Sequence, residues 1–254
     1  MEYREIIVDK KDGAVTITIN KPPVNFMGIE TLAEINSVLE EVKGDPEVKI
    51  VVFKGAGKHF SAGVEVADHL GDKLPHMLEN FSKLFHLLIE CGKPTLAVVK
   101  GVVLGGGLEL ISGCDMVIAS ETAKFGVPEI TLGNYPGAAG VFVPRIISRK
   151  KAFEFIMTGE NIDAREAERI GLVNKVVPDA ELDKAAEEFI NGFLAKRGII
   201  LSLSKRIFYD TLDMEVSKAW DKSMEASRDL MKTEDAVEGL TAFLEKRTPV
   251  WKNK

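Results

Sequence analysis

Between Val15 and Phe53 the hydrophobic period of this chain changes twice. Val15, Ile17 and Ile19 alternate with Thr16, Thr18 and Asn20, the period of two expected of a strand with one face toward water. Leu32, Ile35, Val38, Leu39 and Val42 then recur at helical spacing, and Ile50-Val51-Val52-Phe53 is a short apolar run of the kind buried strands carry. Ile6 to Val8 is predicted to pair with the first strand through a turn at Lys11-Asp12-Gly13. The pattern returns as a helix over residues 77–89, a strand over 95–99, a helix after Gly107 and a strand over 116–119. Repeated strand-strand-helix units predict an α/β fold. From about Arg149 the spacing turns mostly helical, over residues 152–156, 182–194, 201–212 and 216–230. A break at Lys196-Arg197-Gly198 separates a core of residues 1–195 from a helical region of residues 196–254.

A chain of 254 residues that is 45% hydrophobic can bury a substantial core. Its net charge of -6 argues against a general nucleic-acid surface, although a local basic patch can still grip a phosphorylated ligand. Cys91 and Cys114 have neither metal-ligand spacing nor a disulfide framework, which fits a reducing cytoplasm and small buried apolar roles. Met1-Glu2-Tyr3-Arg4-Glu5 is charged and lacks a signal-peptide pattern. No apolar run approaches the ~20 residues of a membrane span. The expected location is the cytoplasm, with no membrane or nucleic-acid partner.

Three short stretches carry the chemistry: Phe60-Ser61-Ala62-Gly63-Val64, Gly105-Gly106-Gly107-Leu108-Glu109 and Gly126-Val127-Pro128-Glu129. Glycine-lined backbone can approach a ligand closely, so the N–H groups of Val64 and Gly106 are candidates for converging on a carbonyl oxygen. Glu109 begins a helix among Leu108, Leu110 and Ile111, whose burial would raise its pKa toward neutrality and suit it to acid-base work. Glu129 follows a proline, and two converging carboxyls can divide the activation of water from the delivery of a proton. Singly, each piece has an ordinary explanation: a glycine run packs tightly or forms a loop, and either glutamate favours the start of a helix. The combination in this order is far more specific.

With these stretches the chain resembles the enoyl-CoA hydratase/isomerase (crotonase) superfamily over essentially its whole length. The match also rests on Ile19-Asn20-Lys21-Pro22, Lys93-Pro94-Thr95, Cys114-Asp115, Leu132-Gly133, Thr158-Gly159, Gly171-Leu172-Val173 and the tail Glu238-Gly239-Leu240-Thr241-Ala242-Phe243. The resemblance implies the crotonase fold, a spiral of repeated ββα units, with a C-terminal helical region that builds homotrimers or dimers of trimers. It implies acyl thioesters of coenzyme A as substrates, an oxyanion hole at Val64 and Gly106, and a hydratase pair at Glu109 and Glu129. No metal and no separate cofactor are expected, since coenzyme A enters as part of the substrate.

By the same resemblance, coenzyme A runs past Lys21, Val24, Phe26 and Ala62, with Phe243 and Lys246 reaching the nucleotide end, often from a neighbouring subunit. A solvated helix charge is the competing account of Lys246. Where relatives carry a polar run in the acyl pocket, this chain has Ala138-Ala139-Gly140-Val141-Phe142-Val143, which assigns Val141 and Phe142 to an apolar pocket. Together with Val64-Glu65-Val66-Ala67-Asp68-His69, this is similar to hydratases of cyclic dienoyl-CoA esters, notably cyclohexa-1,5-diene-1-carbonyl-CoA hydratase of anaerobic aromatic degradation. His69 either orients such a ring or is a packed bystander; its residue type leaves both open. The competing functions are an enoyl-CoA double-bond isomerase and a noncatalytic acyl-CoA-binding or RNA-binding relative.

Overall fold

The computed structural model describes residues 3–251; Met1 and Glu2 of the charged amino terminus, and residues 252–254, lie outside the described residues. Strand β1 (Ile6–Lys11) pairs antiparallel with β2 (Ala14–Ile19). Asp12 and Gly13 join them with φ of 53° and 91°, the left-handed pair that a two-residue hairpin turn requires. The chain continues through α1 (Ile29–Lys43), β3 (Ile50–Gly55), α2 (Lys73–Glu90), β4 (Thr95–Val99), β5 (Val102–Leu104), α3 (Gly106–Gly113), β6 (Met116–Ser120) and β7 (Lys124–Gly126). Then follow α4 (Gly137–Ile146), α5 (Arg149–Thr158), β8 (Ile162–Asp163), α6 (Ala164–Arg169), β9 (Lys175–Val177), α7 (Leu182–Leu194), α8 (Gly198–Leu212), α9 (Val216–Leu230) and α10 (Glu234–Leu244).

The strands form a six-stranded sheet in the order β1-β2-β3-β4-β6-β9 and a three-stranded sheet in the order β5-β7-β8. In β3, Val51 and Phe53 join the large core beneath α1 and α2, while Ile50 and Val52 join Leu96, Val98, Ile118 and α7 residues Leu182 and Ala186 on the opposite face. Both faces are therefore covered, which is why residues 50–53 of this strand are continuously apolar. On β2, Val15, Ile17 and Ile19 are fully buried and the intervening threonines only partly so.

Successive units place their first strand in the large sheet and their second in the small one: β4-β5-α3, then β6-β7 and, after a 3-10 turn, α4. An earlier unit is completed by a parallel bridge from Ser61 to Val103, between β3 and α2. This is the spiral of ββα units that the resemblance implies. The four helical stretches read after Arg149 are all helices; β8 and β9, which that reading did not contain, lie between them, and β9 closes the edge of the large sheet beside β6. Strands of two and three residues are too short to carry a period. Among the described residues no helix is long and apolar enough to cross a membrane.

Candidate active site

Ser61 bridges β5 in parallel and β5 pairs in parallel with β7, so three extended segments end side by side. The residues that follow those ends are the ones singled out in the sequence: Val64 after Ser61, Gly105-Gly106 after Leu104, and Pro128-Glu129 after Gly126. The ββα repeat thus delivers each component of the site from the same position in its own unit. An open cleft of about 900 Å³ runs over them, lined by Val64, Gly106, Glu109, Glu129, Phe26, Ala62, His69, Val141 and Phe142, among others.

Neither the Val64 nor the Gly106 N–H donates to an acceptor among the described residues. The two stretches press together: a Cβ on Gly106 would stand 2.5 Å from Val64 Cγ2 and 3.1 Å from Val64 N. Gly105 has φ of 51°, which favours glycine, and a Cβ there would stand 3.0 Å from Glu129 Oε1. Any side chain at either position would fill the space between the two main-chain donors or displace the carboxyl.

Glu109 lies in the first turn of α3 and is only 4% exposed, between fully buried Leu108 and Leu110. Its Oε1 accepts a 2.9 Å hydrogen bond from the Ala139 N–H of α4. Burial pushes its pKa up to about 7; the Ala139 N–H opposes the shift and the charge of Glu129 adds to it. Glu129 sits in the 3-10 turn Pro128–Leu132, where burial also raises its pKa and interaction with His69 works the other way. Its Oε2 is buried with no hydrogen-bond partner. A buried carboxyl oxygen left unpartnered is costly, and functional sites are where such costs persist.

One side of the cleft is apolar. Met77, Phe81 and Phe85 of α2 face Val141 and Phe142 of α4, with Phe81 and Phe85 edge to face at 5.0 Å and Phe85 stacked on Phe142 at 5.2 Å. Sequence reading assigned residues 77–89 to a helix without assigning Phe81 or Phe85 to the site; their spacing of four, in line with Met77, was the available signal. Tyr135, on the exposed lip, was also missed. The Ala139 N–H that holds Glu109 is a main-chain group and leaves no mark in the sequence.

Four of the expected coenzyme A contacts do not line the cleft. Lys21 Nζ pairs with Glu5 Oε1 at 2.9 Å. Val24 offers its carbonyl to the Ala62 N–H at 2.9 Å, fixing the loop beside the site. Phe243 and Lys246 are exposed at the end of α10 and beyond it.

The sequence profile of the enoyl-CoA hydratase/isomerase family matches residues 9–254. The chain is 36% identical to the short-chain-enoyl-CoA hydratase of Clostridium acetobutylicum, with 97% of each chain covered. It is 35% identical to the crotonyl-CoA hydratase of Syntrophomonas wolfei, again over 97% of each. The crystal structure of an enoyl-CoA hydratase from Mycobacterium smegmatis superimposes with a TM-score of 0.93 at 29% identity, covering 98% of this chain and 99% of that one. The ββα spiral, the paired strand ends and these likenesses agree: the chain belongs to the enoyl-CoA hydratase/isomerase family.

Proposed function

We propose that the protein is a hydro-lyase that adds water across the α,β double bond of an enoyl-CoA thioester. The observation that carries this reading is the pair of carboxyls, buried Glu109 and half-buried Glu129, in one cleft with two main-chain N–H groups that lack acceptors. The hydratase names of the two similar relatives support it. The Val64 and Gly106 N–H groups hold the thioester oxygen. One glutamate takes a proton from water, whose oxygen bonds to the β-carbon as the π electrons move onto the thioester enolate. The other glutamate protonates the α-carbon, and the enolate collapses. Two like charges disfavour each other, so the pair suits a state holding one proton, which this division of labour requires.

For the acyl group we favour a cyclic dienoyl ester. The aromatic wall of Phe81, Phe85 and Phe142 supports it, because flat unsaturated rings pack against aromatic faces. Coenzyme A would leave past Phe26 and Ala62 toward Lys21 and Val24. Phe243 and Lys246 would contact it from a neighbouring protomer, with residues 196–254 acting as the oligomerisation region of a cytoplasmic homotrimer or dimer of trimers. Exposed Phe208, Trp220 and Phe243 on α8 to α10 support such an assembly. Sedimentation at the monomer mass would sink it.

The test converts Glu109 and Glu129 separately to Gln and follows loss of enoyl absorbance with crotonyl-CoA and a cyclic dienoyl-CoA. Each variant is expected to lose about 10²–10⁴-fold in kcat. Near-normal turnover in both would eliminate the mechanism, and a product of unchanged mass would identify an isomerase instead.

A further inference from the structure

The spacing of the Val64 and Gly106 N–H groups depends on how residues 60–64 lie against residues 102–106, and few main-chain bonds join the two segments. The Ser61 N–H donates to the Val102 carbonyl at 3.1 Å, and the Leu104 N–H donates to the Ser61 carbonyl at 3.0 Å. Further along, the segments close on each other: a Cβ on Gly63 would stand 3.4 Å from Gly106 N. In a parallel ladder the next rung back would join the Val102 N–H to the carbonyl of residue 59. That carbonyl is turned elsewhere, because the fully buried Asn25 donates to it through Nδ2 at 2.8 Å.

The side chain of His59 supplies the rung instead. The Val102 N–H donates to His59 Nδ1 at 3.1 Å. A main-chain N–H only donates, so Nδ1 keeps its lone pair and the neutral ring carries its hydrogen on Nε2. Gly101 leaves room for the ring: its φ is 59°, and a Cβ there would stand 2.5 Å from His59 Nδ1. At the cleft end of the same ladder, Ser61 Oγ donates to the Asn25 carbonyl at 2.7 Å and accepts from the Gly63 N–H at 3.1 Å. Side chains thus finish both ends of a ladder too short to hold its register by main-chain bonds alone.

We propose that His59 is a positioning residue for the oxyanion hole, its Nδ1 fixing the start of β5 against the segment that carries the Val64 N–H. The role rests on the hydratase reading. His59 is not among the residues that line the cleft, and it neither gains nor loses a proton in the reaction. It acts through the Val102 N–H. With no acceptor at position 59 that donor loses its partner, and residues 60–64 are free to shift against residues 102–106. A misplacement of about 1 Å at reacting groups can cost on the order of 10²-fold in rate. The two donors matter most once the thioester oxygen carries charge, so the loss falls on kcat rather than on KM.

Two substitutions separate this role from simple packing. Asn at position 59 sets an amide oxygen where Nδ1 stands and can accept from the Val102 N–H, whereas Leu fills the space and accepts nothing. The substrate is crotonyl-CoA or a cyclic dienoyl-CoA, whichever the parent hydrates. H59N is expected to keep kcat within about threefold of the parent, while H59L loses about 10–100-fold in kcat with KM little changed. Equal kcat in H59N and H59L, or an H59L defect confined to KM or to melting temperature, would overturn the proposal. Nitrogen NMR of the unsubstituted protein gives a reading that needs no variant: His59 should carry its hydrogen on Nε2 with Nδ1 bare, and the opposite tautomer would overturn the contact. Failure of the parent protein to hydrate any enoyl-CoA would instead sink the hydratase reading, and this role with it. Hydration by the parent together with a parent-like H59L sinks only the role of His59.

Discussion

Two of the places where the molecule buries charge treat it in opposite ways. Where α8 meets the core, Lys205 is 6% exposed and its ammonium is saturated by the Leu88 carbonyl, the Lys93 carbonyl at 2.9 Å and Asp115 Oδ2 at 2.9 Å. Asp115 also accepts from the Thr95 N–H at 2.6 Å, the Thr95 hydroxyl at 2.9 Å and the Tyr209 hydroxyl at 2.6 Å. At the cleft, no cation among the described residues pairs with Glu109, which accepts from the Ala139 main-chain N–H, and Oε2 of Glu129 has no partner. The charge at α8 is surrounded by partners, while the carboxyls of the proposed hydratase site keep hydrogen-bonding capacity in reserve.

Breaking the saturated cluster should give the largest change in stability. K205M leaves the largely enclosed Asp115 without its cation and is expected to cost about 3 kcal/mol in denaturant unfolding, with kcat of the folded fraction unaltered. Adding D115N should return part of that loss, since the uncompensated charge is removed. A fall in kcat matching the fall in stability would show that the two regions are not separable.

On the cleft side, G106A introduces a Cβ that would stand 2.5 Å from Val64 Cγ2, and it should disturb both main-chain donors at once. Loss of one such donor costs ~3 kcal/mol in the transition state, so kcat should fall by about 10²–10³-fold while the melting temperature moves little. An unaltered kcat would remove the donors from the mechanism.

The reserve kept at Glu109 should also be visible without substrate. Its folded pKa of about 7 lies above the ordinary 4.5. Below the ordinary value both folded and unfolded chains hold the proton. As pH rises the unfolded chain releases it first, so this carboxyl's contribution to stability falls until pH passes the folded pKa. E109Q abolishes that dependence and should exceed the parent in stability by a margin that grows between about pH 4.5 and 7 to on the order of 3 kcal/mol. Parallel stability curves for parent and variant would deny the shift. The smallest effect is expected at Lys21, whose ion pair with Glu5 is partly exposed: K21M should cost less than about 1 kcal/mol. A rise in KM for acyl-CoA beyond that small cost would return Lys21 to the coenzyme A path.

Much of the fold was legible because its longer elements are amphipathic. The hairpin at Asp12-Gly13, the face of α1 and the apolar run Ile50-Val51-Val52-Phe53 of β3 each have the pattern their burial demands. The short strands of the small sheet and β9 were not legible, since two or three residues are held by neighbours rather than by a pattern of their own. The same division runs through the site. Glu109, Glu129, Val64 and Gly106 stood out because glycine and proline punctuate the chain around them. Phe81 and Phe85 were hidden in a helix whose apolar stripe serves both core and cleft.

By itself, then, the sequence determined which groups are available: two carboxyls, two glycine-bordered amides, an α/β succession of strands and helices, and no disulfide framework. Only the tertiary structure decided that the ends of three extended segments lie side by side, that Ala139 and not a side chain holds Glu109, and that Lys21 turns to Glu5. The reason is one of range. Local periodicity follows from neighbouring residues, but desolvation of a carboxyl and the choice of its partner depend on segments brought together across the whole spiral.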